Sequence, residues 1–363
     1  MEGRLMLYRE AGDFKTNYRA DQQTFPIRLD RIMFWGFIAF AFLVVPFLIN
    51  DYWEKSILVP FLVWSMAALG LNILTGYCGQ VSLGTGGFMA VGAYAAYKLM
   101  TAFPDLNIVF VIVLSGGVTA MVGVLFGLPS LRIKGFYLAV ATLAAQFFLI
   151  WVFNKFAWFY NYSASGQITA PERTLFGVAV TGPSSPPWAT YLLCLSLVFV
   201  FAWAARNLTR GRVGRSWMAI RDMDIAAEII GVEPLKAKLS AFAVSSFYVG
   251  VAGAMYFTIW FGAVEPTEAF GINQSFRALF MVIIGGLGSI FGSFAGAAFL
   301  VLLPVLFKNI MVGQFGWPTD LATHIEIMLV GALIIFFLIV EPHGLARLWQ
   351  IAKEKLRLWP FPH

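Results

Sequence analysis

Along this chain apolar residues gather in long blocks separated by short polar stretches, near positions 32–49, 56–75, 85–101, 108–129, 135–153, 189–205, 239–261, 275–290, 292–308 and 322–340. Spanning a bilayer core of about 30 Å takes roughly twenty mostly apolar residues, because an α-helix rises about 1.5 Å per residue and satisfies its own backbone hydrogen bonds. The blocks therefore predict about ten transmembrane helices. The fold class that follows is all-α, a polytopic integral membrane protein. Two glycine-rich stretches, 76–92 and 285–296, read as broken or re-entrant helices rather than clean spans.

The polar positions between blocks test that layout, since Lys and Arg gather in loops that face the cytoplasm. With both ends placed inside, residues 1–31 form a cytoplasmic arm carrying Arg4, Arg9, Lys15, Arg19, Arg28 and Arg31. The turn after the fourth span holds Arg132 and Lys134. A loop at 206–238 adds Arg206, Arg210, Arg212, Arg215, Arg221, Lys236 and Lys238, and the cytoplasmic tail 341–363 adds Arg347, Lys353, Lys355 and Arg357. Nineteen of the 25 basic residues thus fall on one side, with 32–340 as the membrane domain. An odd number of spans would break the pattern.

Composition agrees: 60% of residues are hydrophobic, 12% charged, and mean hydropathy is +0.77, against about 25% charged in soluble domains. The apolar blocks leave no room for a separate soluble domain. A net charge of +6 raises nucleic acid as a partner, but the basic residues lie between apolar blocks rather than along one polar face, which marks topology. Cys78 and Cys194 both sit in apolar stretches, so neither a disulfide framework nor a paired-cysteine zinc site is available. The first strongly apolar run begins only near Ile32, which points to a retained arm rather than a cleaved signal peptide.

Enzyme chemistry finds little support. His324, His343 and His363 are too scattered for a metal cluster, and no nucleophile-base arrangement stands out. No glycine loop ends in Gly-Lys-Ser or Gly-Lys-Thr, so the chain lacks the cradle for ATP phosphates, and any ATP is hydrolysed by partner subunits. Arg277 and Glu268 read as outer-face residues that are solvated or ion-paired. The aromatic outer loop 154–188 reads either as an interfacial belt or as a docking surface for an external partner.

The most informative stretch lies in the basic loop, from Gly211 to Gly231. Met218, Ile220, Ile225, Ile229 and Ile230 give it an apolar side too short to span, interspersed with Arg and Asp, which predicts a short amphipathic helix. That helix either lies on the membrane surface or buries its apolar side in a groove on a partner. Elsewhere, Gly288, Gly292 and Gly296 place three side-chain-free positions along one helix stripe or at a helical corner, where another backbone can approach. Asn72, Gln80, Ser82 and Thr142 are polar groups in apolar surroundings. They are candidates either for interhelical hydrogen bonds or for contact with a solute.

The loop resembles the segment by which ABC-importer permeases contact their ATPases, usually Glu-Ala-Ala, three residues, then Gly. Ala226, Ala227 and Gly231 match in register, and Ile225 takes the glutamate position between Asp224 and Glu228. Further blocks appear in order: Gly79-Gln-Val-Ser-Leu-Gly84 with Phe88 and Gly92-Ala-Tyr94, Lys134-Gly-Phe-Tyr-Leu-Ala139 with Thr142, Ile284-Gly-Gly-Leu-Gly-Ser289, and Glu341-Pro-His-Gly-Leu345. Over residues 60–345 this set resembles the branched-chain amino-acid ABC transporter permease family, and most closely the larger of its two permeases.

The resemblance implies a bacterial inner-membrane permease subunit with a second homologous permease, two ABC ATPase subunits and an extracytoplasmic solute-binding protein as partners. It implies ATPase coupling through Arg215, Arg221, Asp224, Ala226, Ala227, Glu228 and Gly231, with leucine-like amino acids, urea or short amides, or small carboxylates as solutes. An ion-coupled secondary transporter or channel is the rival reading, and it lacks acids placed well inside the spans.

Overall fold

The computed structural model describes residues 16–17, 28–130, 137–182, 184–341 and 343–358. Arg4, Arg9, Lys15 and Arg19 of the arm, Arg132 and Lys134 with the start of their motif, Pro183, Pro342 and His363 lie outside the described residues. The chain divides into two units. One comprises residues 1–49 and 347–363, in which Lys353 pairs with Asp30 and which holds α1 and most of α14 below; the other comprises Asn50–Ala346.

Helix α1 spans Arg28–Leu43. The second unit begins with α2 (Asp51–Tyr77), α3 (Thr85–Ala102), α4 (Ile108–Ser130), α5 (Tyr137–Lys155) and α6 (Pro187–Arg210). Two short helices follow, α7 (Arg212–Asp222) and α8 (Asp224–Ile229), then α9 (Pro234–Phe261). After α10 (Pro266–Phe270) come α11 (Ile272–Gly285), α12 (Ile290–Gln314), α13 (Thr319–Val340) and α14 (Gly344–Leu358). Helices occupy the predicted apolar blocks. Seven of them, α2, α4, α5, α6, α9, α12 and α13, are long and apolar enough to cross a membrane, where the pattern predicts about ten. Helices α1 and α11 have only 16 and 14 residues, and α3 carries Lys98 with several Gly, Thr and Tyr residues.

The glycine-rich stretches are broken, as their composition predicts. Backbone leaves helix at 79–84 and again at 286–289. At the second break Gly288 takes φ of +74°, a left-handed conformation that costs an L side chain about 1–2 kcal/mol. Ser289 then caps α12 by accepting a hydrogen bond from Gly292 N at 3.0 Å.

Helix α9 lies at the centre, against α2, α3 and α4. Between apolar helices in lipid the hydrophobic effect supplies little, so association rests on close packing and hydrogen bonds. Gly92 of α3 accordingly meets the Gly250 backbone of α9, Gly253 of α9 meets the Met89 backbone of α3, and Gly250 meets Thr119 of α4, leaving no room for a Cβ at any of the three glycines. Helices α11 and α12 form an antiparallel hairpin by the same device, with Gly285 against Gly292 and the Met281 carbonyl against Gly296.

Several hydroxyls inside the spans are satisfied by their own helix. Ser115 donates to Val111 O at 2.7 Å, Thr119 to Ser115 O at 2.8 Å and Thr258 to Ala254 O at 2.8 Å. The outer loop carries two small antiparallel pairs: β1 (Ile168–Thr169) with β4 (Ala263–Val264), and β2 (Thr174–Leu175) with β3 (Val178–Ala179). The first pair ties the loop to the segment that leaves α9.

Candidate functional site

The basic loop folds as two helices, not as one amphipathic helix. The chain bends at Met223, and the apolar residues of the predicted stripe divide between two faces. Trp217 and Ile220 of α7 turn inward and are buried, while Met223, Ile225, Ile229 and Ile230 are 70–81% exposed. The reason lies in tertiary packing: Trp217 is fully enclosed, and its indole N–H donates to Ser240 Oγ of α9 at 2.9 Å. Helix α8 thus carries an apolar surface outward on a base that is fixed inward.

The motif residues Ala226, Ala227 and Gly231 have a local structural meaning. Gly231 N donates to Glu228 O and Val232 N to Ala227 O, both at 3.0 Å, with φ of +91° at Gly231. This paired closure, with a left-handed residue just past the helix, is the Schellman cap, which favours glycine at that position. Ala227 is buried, and Asp224 lies 4.0 Å from Lys238. Ala226, Glu228 and Arg215 are exposed.

Arg221 links the loop to the membrane helices. Its Nη1 donates to Gly76 O at 2.9 Å, in the π-helical last turn of α2 (Ile73–Tyr77), and its stem packs on Gly79. Its Nε and Nη2 both reach Asp222 at 2.9 Å, which holds the guanidinium plane. One turn earlier in α2, Asn72 is fully buried and uses both ends of its amide. Nδ2 donates to Ser289 O and Ser293 Oγ, each at 2.8 Å, and Oδ1 accepts from Gly288 N at 2.9 Å. A continuous run of contacts therefore leads from α7 through the end of α2 into the α11–α12 corner.

Gly288 sits in that corner, whereas Gly292 and Gly296 lie on α12 against α11. Thr142 accepts from Leu83 N at 2.9 Å and donates to Ala139 O at 3.0 Å, pinning the 79–84 break to α5. Ser82 is buried beside it. Gln80 Oε1 is buried and has no hydrogen-bond partner among the described residues.

A second polar cluster carries no sequence motif. Gly86 N donates to Ser275 Oγ at 2.8 Å, Gly87 N donates to Gln146 Oε1, Ser275 Oγ donates to the same oxygen at 3.0 Å, and Gln146 Nε2 donates to Phe270 O at 2.7 Å. Two first-turn N–H groups of α3, which no helix satisfies internally, are met by α5 and α11. Their signal in sequence is a lone Gln and a lone Ser in apolar blocks.

Arg277 departs from its reading as a solvated or paired outer-face residue. Its guanidinium lies 5.0 Å over the ring of Trp64, and it forms no ion pair or hydrogen bond among the described residues. Four acids fall within the span bounds: Asp51 and Asp320 at helix starts, Glu54, buried and hydrogen-bonded by Thr190, and Glu326 on α13. No group of three or more metal-ligating side chains occurs among the described residues.

The sequence itself has relatives among known proteins. The family model described as "Branched-chain amino acid transport system / permease component" matches residues 55–338. The high-affinity branched-chain amino acid transport system permease protein LivM of Salmonella typhimurium is 30% identical over 304 residues, covering 78% of this chain and 68% of that protein. LivM of Escherichia coli matches to the same extent. The high-affinity branched-chain amino acid transport system permease protein LivH of Escherichia coli is 21% identical over 300 residues, covering 78% of this chain and 90% of that protein. No solved structure matches.

Proposed function

Because the chain belongs to the branched-chain amino acid transport permease family, we propose that it imports a small polar solute across a bacterial inner membrane, driven by separate ATPase subunits. In this reading it pairs with a second homologous permease, receives solute from an extracytoplasmic binding protein, and binds no nucleotide itself. Both termini and the α7–α8 loop face the cytoplasm. Branched-chain amino acids are the solute class that the relatives' names support.

The observation that carries the proposal is the exposed surface of Met223, Ile225, Ile229 and Ile230 on α8. Burying one such side chain in a partner's groove stabilises association by about 1.5–3 kcal/mol. An ATPase subunit docked there moves α7 with α8, because Trp217 is bonded to Ser240 and Arg221 to Gly76. Asn72 passes the motion on to the α11–α12 corner. A packed hairpin moved in this way tilts as a rigid body, which is the step that alternating access requires.

The test is purification of the chain from native membranes in mild detergent, followed by identification of bound subunits and assay of ATP hydrolysis. Recovery of an ATPase and a second permease, both reduced by Gly231→Trp in correctly inserted protein, supports the reading. A chain that purifies alone and transports in ATP-free vesicles overturns it in favour of an ion-coupled transporter.

A further inference from the structure

Arg277 stands eight residues before the end of α11 at Gly285, about 12 Å along the helix axis at 1.5 Å per residue. Its neighbour Trp64 is the middle residue of the membrane-length helix α2, which places the cation near mid-depth of an apolar layer about 30 Å thick. Such a charge is costly in lipid and is normally turned toward the protein interior or a water-filled path.

The surroundings hold the guanidinium without neutralising it. Trp64 of α2 is fully buried, and its ring lies 5.0 Å beneath the guanidinium carbon. The Trp64 ring itself packs edge-on against Tyr256, at 6.3 Å between centroids, where the last π-helical turns of α9 begin. Tyr256 and Glu326 are the ionisable groups within electrostatic reach of Arg277, and no carboxylate lies within 4.0 Å of it among the described residues. The Trp64 indole N–H is also buried without a hydrogen-bond partner among the described residues. Arg277 is only partly buried, and Asn273 and Phe276 beside it on α11 are exposed.

A guanidinium presents a planar fork of donors that matches a carboxylate in two parallel hydrogen bonds, and stacking on an aromatic ring fixes its plane. Urea or a short amide offers that fork no charge. We infer that Arg277, held on Trp64, is the carboxylate-binding group of the translocation path, so that the transported solute carries a carboxylate. This inference rests on the importer reading and narrows its solute class.

The test uses the complete complex, with its ATPase subunits, second permease and binding protein, in proteoliposomes supplied with ATP and labelled leucine or labelled urea. With Arg277→Gln, leucine moved per ATP hydrolysed falls about tenfold or more, equivalent to about 1.4 kcal/mol of lost interaction. Arg277→Lys recovers part of it, and Arg277→Glu is worse than Arg277→Gln because it repels the solute's carboxylate. Glu326→Gln leaves leucine uptake unchanged. Equal uptake by Arg277→Gln and wild type overturns the inference, as does wild-type uptake of urea as fast as that of leucine. An equal loss in Glu326→Gln and Arg277→Gln also overturns it, because it assigns Arg277 to a structural pair. Leucine uptake that needs no ATP instead overturns the importer reading, while the order of the four residues at position 277 still decides the role of Arg277.

Discussion

Asn72 and Gly288 are bonded across 216 positions of chain, the glycine N–H donating to the asparagine carbonyl at 2.9 Å. The bond joins the end of α2 to the corner between α11 and α12. A buried side chain that uses its oxygen and its NH2 group together is hard to replace. Even aspartate, nearly the same shape, loses both donated bonds.

Asn72→Leu leaves Gly288 N and Ser293 Oγ without this partner, and each unsatisfied buried group costs about 1–3 kcal/mol. A lower thermal midpoint is therefore expected, with Ser293→Ala milder because Ser289 O retains its bond from Asn72. The buried thiols of Cys78 and Cys194 report the transition, since a thiol-reactive dye reaches them only on unfolding.

The helical blocks and the two breaks were legible in the sequence because each depends on neighbours in the chain, whereas Gly231 was legible as a motif residue and not as a helix cap. The partners of Asn72, Gln146 and Arg277 were not, since they lie 59 to more than 200 positions away. The division of the loop into two helices was hidden for the same reason. Its apolar spacing fits one stripe, and only the enclosure of Trp217 by α9 decides that Ile220 turns inward while Ile225 does not.

Gln146→Leu removes the acceptor of Gly87 N and Ser275 Oγ and the donor to Phe270 O. We expect a loss of about 2 kcal/mol or more, as for a disrupted buried network. Ser275→Ala, which frees only Gly86 N, should cost less. Paired unfolding midpoints, with the double variant less than additive, check that the two act as one network.

Ile229→Glu changes a side chain that is 81% exposed, so folding stability should move by no more than about 0.5 kcal/mol. Binding of the ATPase should nevertheless weaken about tenfold or more, because a charge replaces an apolar contact worth about 1.5–3 kcal/mol. Titration of the purified ATPase onto immobilised permease measures it. Unchanged affinity would remove α8 from the docking surface.

Gly231→Ala forces a left-handed backbone on a residue with a Cβ, at about 1–2 kcal/mol. Nothing stands within 4 Å of a Cβ there, so the effect is conformational and not steric. Asparagine should be tolerated better than valine. Hydrogen exchange should show faster opening of residues 224–232 with the spans unchanged, and equal protection would show that the cap is dispensable.

Phe176 and Gly177 form the tip of the β2–β3 hairpin, with φ of +52° and +82°, and Phe176 is 98% exposed. Both native cysteines are buried. A single cysteine placed at 176 would therefore be the one thiol that a bulky, membrane-impermeant reagent meets on the folded chain, and the exposed tip supplies a fluorophore or epitope position. Which compartment the reagent must be added to, intact cells or inverted vesicles, then reads the orientation of the whole chain directly.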